Sequence, residues 1–312
     1  MAEPRIFTWI SPIIPQKELE GIYHWFNHQL IEAGLLPLPS FTRMQTRLNF
    51  DPEESLTVEF ELPAAESDSA FERFRESLWS GIFAGSHPAP RPHLASLRTL
   101  SSAKSPKRLA CFDMDSTLIN EEVIDEIARA AGFYAEVAAV TEEAMQGKLD
   151  FTASLQKRVR FFAGMPKSKA EAIIDSLTFS PGAEKLVAHL KAGGTKTAVV
   201  SGGFEFILTH FQEKLGLDHA FGNVLFLDEE IRFTGELDLP VVDAARKRTI
   251  VAELKAQSGL TPQETMVIGD GANDLEMMKE AGTQVSFCGK AKLAGHCNTL
   301  VFNRNLLWLK QL

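Results

Sequence analysis

Three short apolar runs in this 312-residue sequence each end in residues suited to phosphate chemistry. Residues 109–112 (LACF) lead into Asp113-Met114-Asp115-Ser116-Thr117, and residues 197–200 (TAVV) into Ser201-Gly202-Gly203. Residues 266–268 (MVI) lead into Gly269-Asp270-Gly271-Ala272-Asn273-Asp274. Asp113 and Asp115 lie two apart, so in a continuing strand both side chains point to one side. Close carboxylates repel, and a bound cation or a raised pKa on one of them relieves the repulsion. Asp270 offers a third oxygen ligand, and carboxylates with water and a substrate phosphate make the kind of site Mg²⁺ prefers. Ser201-Gly202-Gly203 joins a hydroxyl and two unhindered N–H groups to a helix starting near Phe204, a combination that binds anions. Gly271 allows a tight turn, and Asn273 or Asp274 can cap the next helix, but capping does not account for Asp270. One base of Arg246-Lys247-Arg248, where a further helix begins, could reach back to offset the accumulated negative charge. Spacing alone does not choose among the three.

These residues need a scaffold that brings three strand ends to one rim. Open α/β sheets do this, because ligands bind outside the carboxyl ends of their strands. The runs at 109–112, 197–200, 266–268 and 285–287 read as parallel strands covered on both faces. Between the first two, helices are predicted near 121–131, 134–146, 150–163 and 167–177, separated by Gly132, Gly147 and the turn at Gly164 and Pro166. The expected fold class is α/β: a doubly wound parallel sheet with a helical cap inserted after its first strand. Ahead of it, strand 5–10, a helix from Pro15 to about Ala33, strands 41–50 and 55–62 and helix 67–80 predict a small α+β unit. Leu56, Val58, Phe60 and Leu62 share one face of the second hairpin strand. The proline- and serine-rich run 86–107 reads as a linker. The boundaries are therefore 1–85 for the α+β unit, 86–107 for the linker, 108–120 with 180–312 for the core, and 121–179 for the cap.

Composition narrows the partners. Acids outnumber bases by 41 to 32, which argues against nucleic acid, since neutralising phosphates requires a basic face. Cys111, Cys288 and Cys297 cannot all pair, which fits a reducing, cytoplasmic setting. The opening residues lack a signal peptide's basic flank and long apolar core. No apolar run reaches the roughly 18–20 residues that span a bilayer, so no membrane partner is expected. His24 and His28 lie four apart but lack a zincin glutamate between them, and read as a helix face. Trp9, Trp25 and Trp79 read as core, and Cys111 and Cys288 as buried strand residues.

One cap residue stands out. Phe151, Leu155, Val159 and Phe162 form an apolar stripe, yet Arg158 lies on it: its offset from Phe151 is about 700°, nearly two full turns. An inward arginine needs an anionic partner, and a substrate carboxylate matches its planar fork. Snorkelling to the surface is the other reading.

The ordered blocks DMDSTLI, VVSGG, Lys247 and GDGANDLEMM resemble the motifs of the haloacid dehalogenase-like hydrolases, and more narrowly of the phosphoserine phosphatases among them, over residues 107–312. That resemblance implies Asp113 as nucleophile through an aspartyl-phosphate and Asp115 as general acid and base. It implies Mg²⁺ held by Asp113, Asp270 and the backbone carbonyl of Asp115. Ser201, the Gly202 amide and Lys247 would hold the phosphoryl oxygens, with Asn273 and Asp274 in support. MQGKLDFTASLQKRV resembles the cap motif, which gives Met145 and Phe151 as apolar contacts and Arg158 as the carboxylate reader. Glu122 would meet the substrate amino group. The implied substrate is O-phosphoserine. A phosphatase or phosphotransferase acting on phosphohomoserine or phosphothreonine is the alternative, as is an amino-acid-binding regulator with a vestigial core, against which the intact motif set argues. The N-terminal element order resembles ACT-like, ferredoxin-like domains, which implies a homodimer through that unit and an amino-acid effector.

Overall fold

The computed structural model describes residues 2–12, 16–35, 45–49, 55–62, 65, 67–87, 91–289 and 291–312. The chain opens with β1 (Arg5–Pro12), α1 (Gln16–Glu32), β2 (Gln45–Asn49), β3 (Ser55–Leu62), α2 (Asp68–Ala84) and β4 (Leu94–Thr99). The first five follow the predicted order; Pro15 and the ends of the 41–50 strand lie outside the described residues. On β3, Val58 and Leu62 are buried and Glu61 is exposed, while Thr57 on the Glu61 face is buried as well. The side chains of Leu56 and Phe60 lie outside the described residues. The strands run β2-β3-β1-β4 with every pair antiparallel, the split βαβ arrangement of ferredoxin-like units.

β4 corrects the linker reading. It sits inside the 86–107 run, pairs antiparallel with β1 on one edge, and pairs antiparallel with a core strand on the other. Leu94, Ala95, Ser96, Leu97 and Arg98 are all buried, so no alternation marks the strand in the sequence. Its polar members find partners: Ser96 Oγ lies 2.8 Å from Thr299 Oγ1, and the Arg98 guanidinium donates to the Leu312 carbonyl at 3.1 Å. The short helix α3 (Leu100–Lys104) follows, capped by Thr99, whose hydroxyl accepts from Ser102 N at 3.1 Å.

The core strands are β5 (Leu109–Phe112), β6 (Lys196–Phe204), β7 (His219–Asn223), β10 (Thr265–Gly269), β11 (Thr283–Phe287) and β12 (Thr299–Val301). A separate hairpin is formed by β8 (Leu225–Leu227) and β9 (Phe233–Leu237). The six core strands are parallel in the order β12-β11-β10-β5-β6-β7, and β4 joins β12, so one ten-stranded sheet runs through both units. The winding direction reverses between β5 and β10. That switch point is where an open α/β sheet leaves a crevice for ligand.

Between β5 and β6 the described elements are helices and turns: α4 (Val123–Ala131), α5 (Tyr134–Met145), α6 (Phe151–Val159) and α7 (Lys167–Glu171), with 3₁₀ turns at Arg160–Phe162 and Ile174–Ser176, and then the core helix α8 (Ala183–Ala192). Asp150 starts α6 by accepting from Ala153 N at 2.7 Å. Leu155, Val159 and Phe162 are buried in one cluster with Phe112, Met114 and Phe204 of the core. Burial of such side chains contributes about 1.5–3 kcal/mol each, which seats the cap on the sheet edge. The remaining helices are α9 (Glu205–Leu215), α10 (Ala244–Gln257), α11 (Leu275–Met278) and α12 (Ala291–Ala294). Trp9 and Trp79 are buried as read, and Trp79 Nε1 donates to the Cys297 carbonyl at 3.0 Å, crossing from one unit to the other. Cys111 is buried in β5, but Cys288 is not a buried strand residue. It lies just past β11, exposed, with φ 51°. No helix among the described residues is long and apolar enough to cross a membrane.

Candidate active site

Asp113 follows the last residue of β5 and opens a wide, non-helical turn, Met114–Leu118, in which Asp115 is extended and Ser116 left-handed, closed by Ile119 N donating to the Met114 carbonyl at 3.1 Å. Its carboxylate is buried and held by three donors. Oδ1 accepts from Met114 N at 2.8 Å and from Lys247 Nζ at 2.9 Å, and Oδ2 accepts from Asn273 Nδ2 at 3.2 Å. The structure thus chooses among the three bases. Arg246 and Arg248 point outward to Glu253 and Glu280, whereas Lys247 is 1% exposed and also donates to Asp274 Oδ1 at 2.8 Å. Burial alone would lower the Lys247 pKa, but the adjacent Asp113 and Asp274 carboxylates carry it above its ordinary value. Asp274 is fully buried beneath the end of β10, where it also accepts from Gly271 N and Asn273 Nδ2 at 3.2 and 3.3 Å. A Cβ at position 269 would overlap the Asp274 carboxylate, so only glycine lets it lie there.

Oxygen atoms of Asp113, Asp270 and Asp274 lie within 4.8 Å of one another. Asp274 joins this cluster where the sequence pointed to Asp115, whose expected contribution was its backbone carbonyl. The donor set is hard oxygen throughout, which fits Mg²⁺. Its charge fits too: burial, then Asp113 and Glu122, push the Asp270 carboxyl up to about 6. A divalent cation would offset both its burial and the repulsion from Asp113 and Glu122.

Asp115 lies on the same wide turn. Burial, Glu122 and Asp113 hold its carboxyl well above the usual carboxylate range, opposed by the Val123 N–H at 3.4 Å and by Lys247. A carboxyl whose proton is held more tightly than usual, placed beside the nucleophile, is suited to donating that proton to a leaving group.

The β6 ladder shifts register between Val200 and Phe204, so Ser201-Gly202-Gly203 bulges out of the sheet. Ser201 Oγ accepts from Gly203 N at 2.9 Å, which leaves its hydroxyl proton for a ligand. Asn223, which nothing in the sequence spacing marked, fixes this bulge from β7. Its Nδ2 donates to the Gly202 carbonyl and its Oδ1 accepts from Val242 N, both at 2.8 Å.

Across from these groups stands the cap. Glu122, Met145, Phe151 and Arg158 line one cleft of about 400 Å³ together with Asp113, Asp115, Ser201, Gly202, Asp270 and Asn273. The cleft therefore collects every site residue predicted from sequence except Lys247 and Asp274, which lie beneath its floor. Met145 is 72% exposed and Phe151 37%, so both present apolar surface to the opening. Glu122 accepts from Ser116 Oγ at 2.8 Å. Arg158 donates through Nε to the Ser154 carbonyl at 3.3 Å and makes no ion pair among the described residues. Burial lowers its pKa, while Asp125, Glu122 and Asp115 pull the other way.

A family model described as haloacid dehalogenase-like hydrolase matches residues 107–282, more than half of the chain. The chain belongs to the haloacid dehalogenase-like hydrolases. A phosphoserine phosphatase of Methanocaldococcus jannaschii is 42% identical over 200 residues, covering 64% of this chain and 94% of that protein. A phosphoserine phosphatase of Archaeoglobus fulgidus is 40% identical over 213 residues; the chain spans 62% of that relative's length. A crystal structure of a HAD family hydrolase from Salmonella enterica serovar Typhi aligns with a TM-score of 0.78 at 27% identity, over 99% of this chain and 98% of that one. That likeness extends through the N-terminal unit as well as the hydrolase core.

Proposed function

We propose that this haloacid dehalogenase-like hydrolase is a Mg²⁺-dependent phosphoserine phosphatase that releases L-serine and phosphate. The observation that carries the substrate is Arg158, an arginine without an ion-pair partner among the described residues, facing Asp113 across one cleft. Its fork suits the substrate carboxylate, and Glu122 on the same wall suits the amino group. The phosphoserine phosphatases among the similar proteins support this choice.

In this reading Asp113 attacks phosphorus, and the ester P–O bond breaks as Asp115 protonates the departing serine oxygen. Asp115 then takes a proton from water, which attacks the aspartyl-phosphate, frees phosphate and regenerates the Asp113 carboxylate. Lys247 holds the nucleophile, and Ser201 and the Gly202 amide receive phosphoryl oxygens. Mg²⁺, held by Asp113, Asp270 and the Asp115 backbone carbonyl, would neutralise charge on nucleophile and phosphate.

The free thiols Cys111, Cys288 and Cys297 fit a cytoplasmic role in serine synthesis. The N-terminal unit is the natural place for homodimerisation and an amino-acid effector. The test is phosphate release from O-phosphoserine with and without Mg²⁺. Release that needs the ion, and that falls at least about a thousandfold in Asp113→Asn, is expected. Release from a sugar phosphate but not from phosphoserine would contradict the assignment.

A further inference from the structure

We propose that Arg304 is a positioning residue that holds the cap hinge, and that the loop carrying it couples this hinge to the N-terminal unit. The choice of substrate in its test rests on the function proposed above. The chain crosses between core and cap twice, outward over 116–122 and back over 177–181. The crossings are laced together. Ile119 and Phe179 form a β-bridge, and Asn120 N donates to the Thr178 carbonyl at 3.0 Å. Asn120 Nδ2 donates to Thr178 Oγ1 at 2.9 Å and to the Phe179 carbonyl at 3.1 Å. Thr178 donates through its N–H and hydroxyl to Glu121 at 2.9 and 2.7 Å.

A loop beyond β12 grips both crossings. Arg304 Nε donates to Asn120 Oδ1 at 2.8 Å, and its Nη2 donates to the Ser116 and Ile119 carbonyls at 3.2 and 3.4 Å. Leu306 N donates to the Pro181 carbonyl at 2.8 Å. The guanidinium carbon lies 5.7 Å from the Phe287 ring centroid, at the end of β11. Ser116 has φ 54°, a left-handed conformation for a non-glycine residue, and its surroundings must hold it there. It is also the residue whose hydroxyl presents Glu122 and whose neighbour is Asp115. Arg304 makes no ion pair among the described residues; its donors go to fixed carbonyl and amide oxygens. The clamp therefore depends on the planar fork, which lysine lacks.

The same loop meets the N-terminal unit. Phe302 N donates to the His93 carbonyl at 2.9 Å, and Asn303 Nδ2 lies 3.1 Å from His93 Nδ1. The Phe302 ring sits 5.6 Å from Phe83 of α2, with Arg91 over its face at 5.8 Å. A shift of the N-terminal unit against this loop thus reaches the hinge through one short segment.

The experiment compares the full chain with Arg304→Ala, Arg304→Lys, Asn120→Ala and Phe83→Ala. It reads kcat and KM with Mg²⁺ for phosphoserine and for p-nitrophenyl phosphate, together with amide hydrogen exchange. In Arg304→Ala, KM for phosphoserine rises about tenfold while both constants for p-nitrophenyl phosphate stay within about twofold. Amides in both crossings exchange about tenfold faster, with the central strands unchanged. Arg304→Lys recovers little, and adding Asn120→Ala changes little more, because the two share one interaction. Phe83→Ala speeds exchange at 116–122 by about threefold. Equal losses on both substrates with faster exchange everywhere would reduce Arg304 to a general structural role, and unchanged hinge exchange would remove its role altogether. A Phe83→Ala protein with wild-type hinge exchange would overturn the coupling. A wild type inert toward phosphoserine, with the exchange pattern as expected, would overturn the substrate reading and leave the hinge assignment standing.

Discussion

The floor and the wall of the cleft use cations in opposite ways. On the floor, Lys247 is buried between Asp113 and Asp274, within 2.9 Å of both, and Asn273 supplies a further donor to each carboxylate. On the wall, Arg158 makes no ion pair among the described residues, and its neighbours Met145 and Phe151 hold apolar surface open to the cleft. The floor's cation is paired within the protein, whereas the wall's has no ion-pair partner among the described residues. In the proposed function, chemistry common to phosphate esters falls to the sheet ends, and discrimination to the helical insertion.

This contrast breaks first at Lys247. Lys247→Met leaves buried carboxylates without their cation, and kcat should fall about 10²–10³-fold, the loss seen when one preorganised donor to developing charge is removed. Stability should fall by about 3–5 kcal/mol, measured as urea unfolding in the presence of chelator, because an uncompensated buried charge remains. Arg158→Ala should differ in kind. Loss of a charged hydrogen bond worth about 1.5–3 kcal/mol raises KM for phosphoserine about 10–100-fold. Its urea midpoint should stay close to wild type, since no native ion pair is lost. The smallest effect tests the seam between the two regions. A Cβ at position 202 would lie 2.9 Å from Phe151 Cζ, so Gly202→Ala should wedge wall from floor and lower kcat/KM about tenfold or less by steady-state kinetics.

Asp113, Ser201 and Asp270 were legible because each follows an apolar run, and the sheet places all such positions on one rim: Asp113 after β5, Ser201 within β6, Asp270 after β10. Arg158 was legible because it interrupts an apolar stripe. Other features depend on contacts distant in sequence. Lys247 differs from Arg246 and Arg248 only in which way α10 turns it, and that is set by packing against Asp113 and Asp274. Asn223 is one polar residue at the end of a mixed edge strand, and its two hydrogen bonds reach residues 21 and 19 positions away. β4 was hidden because both its faces are covered and two of its buried residues, Ser96 and Arg98, are polar. A proline-rich approach made it read as a linker, although it joins the two units into one sheet. Arg304 carried no signal either, since its partners lie more than 180 positions earlier in the chain.

The central claim is that the cap wall reads the amino-acid part of the substrate while the floor reads its phosphate. The most direct measurement compares kcat/KM with Mg²⁺ for O-phosphoserine, for phosphoethanolamine, which lacks the carboxylate, and for p-nitrophenyl phosphate, in wild type and Arg158→Ala. Wild type should favour phosphoserine over phosphoethanolamine at least about tenfold, and Arg158→Ala should erase that preference while leaving the other two esters nearly unchanged. A preference that survives the substitution, or an equal loss on all three esters, would contradict the account.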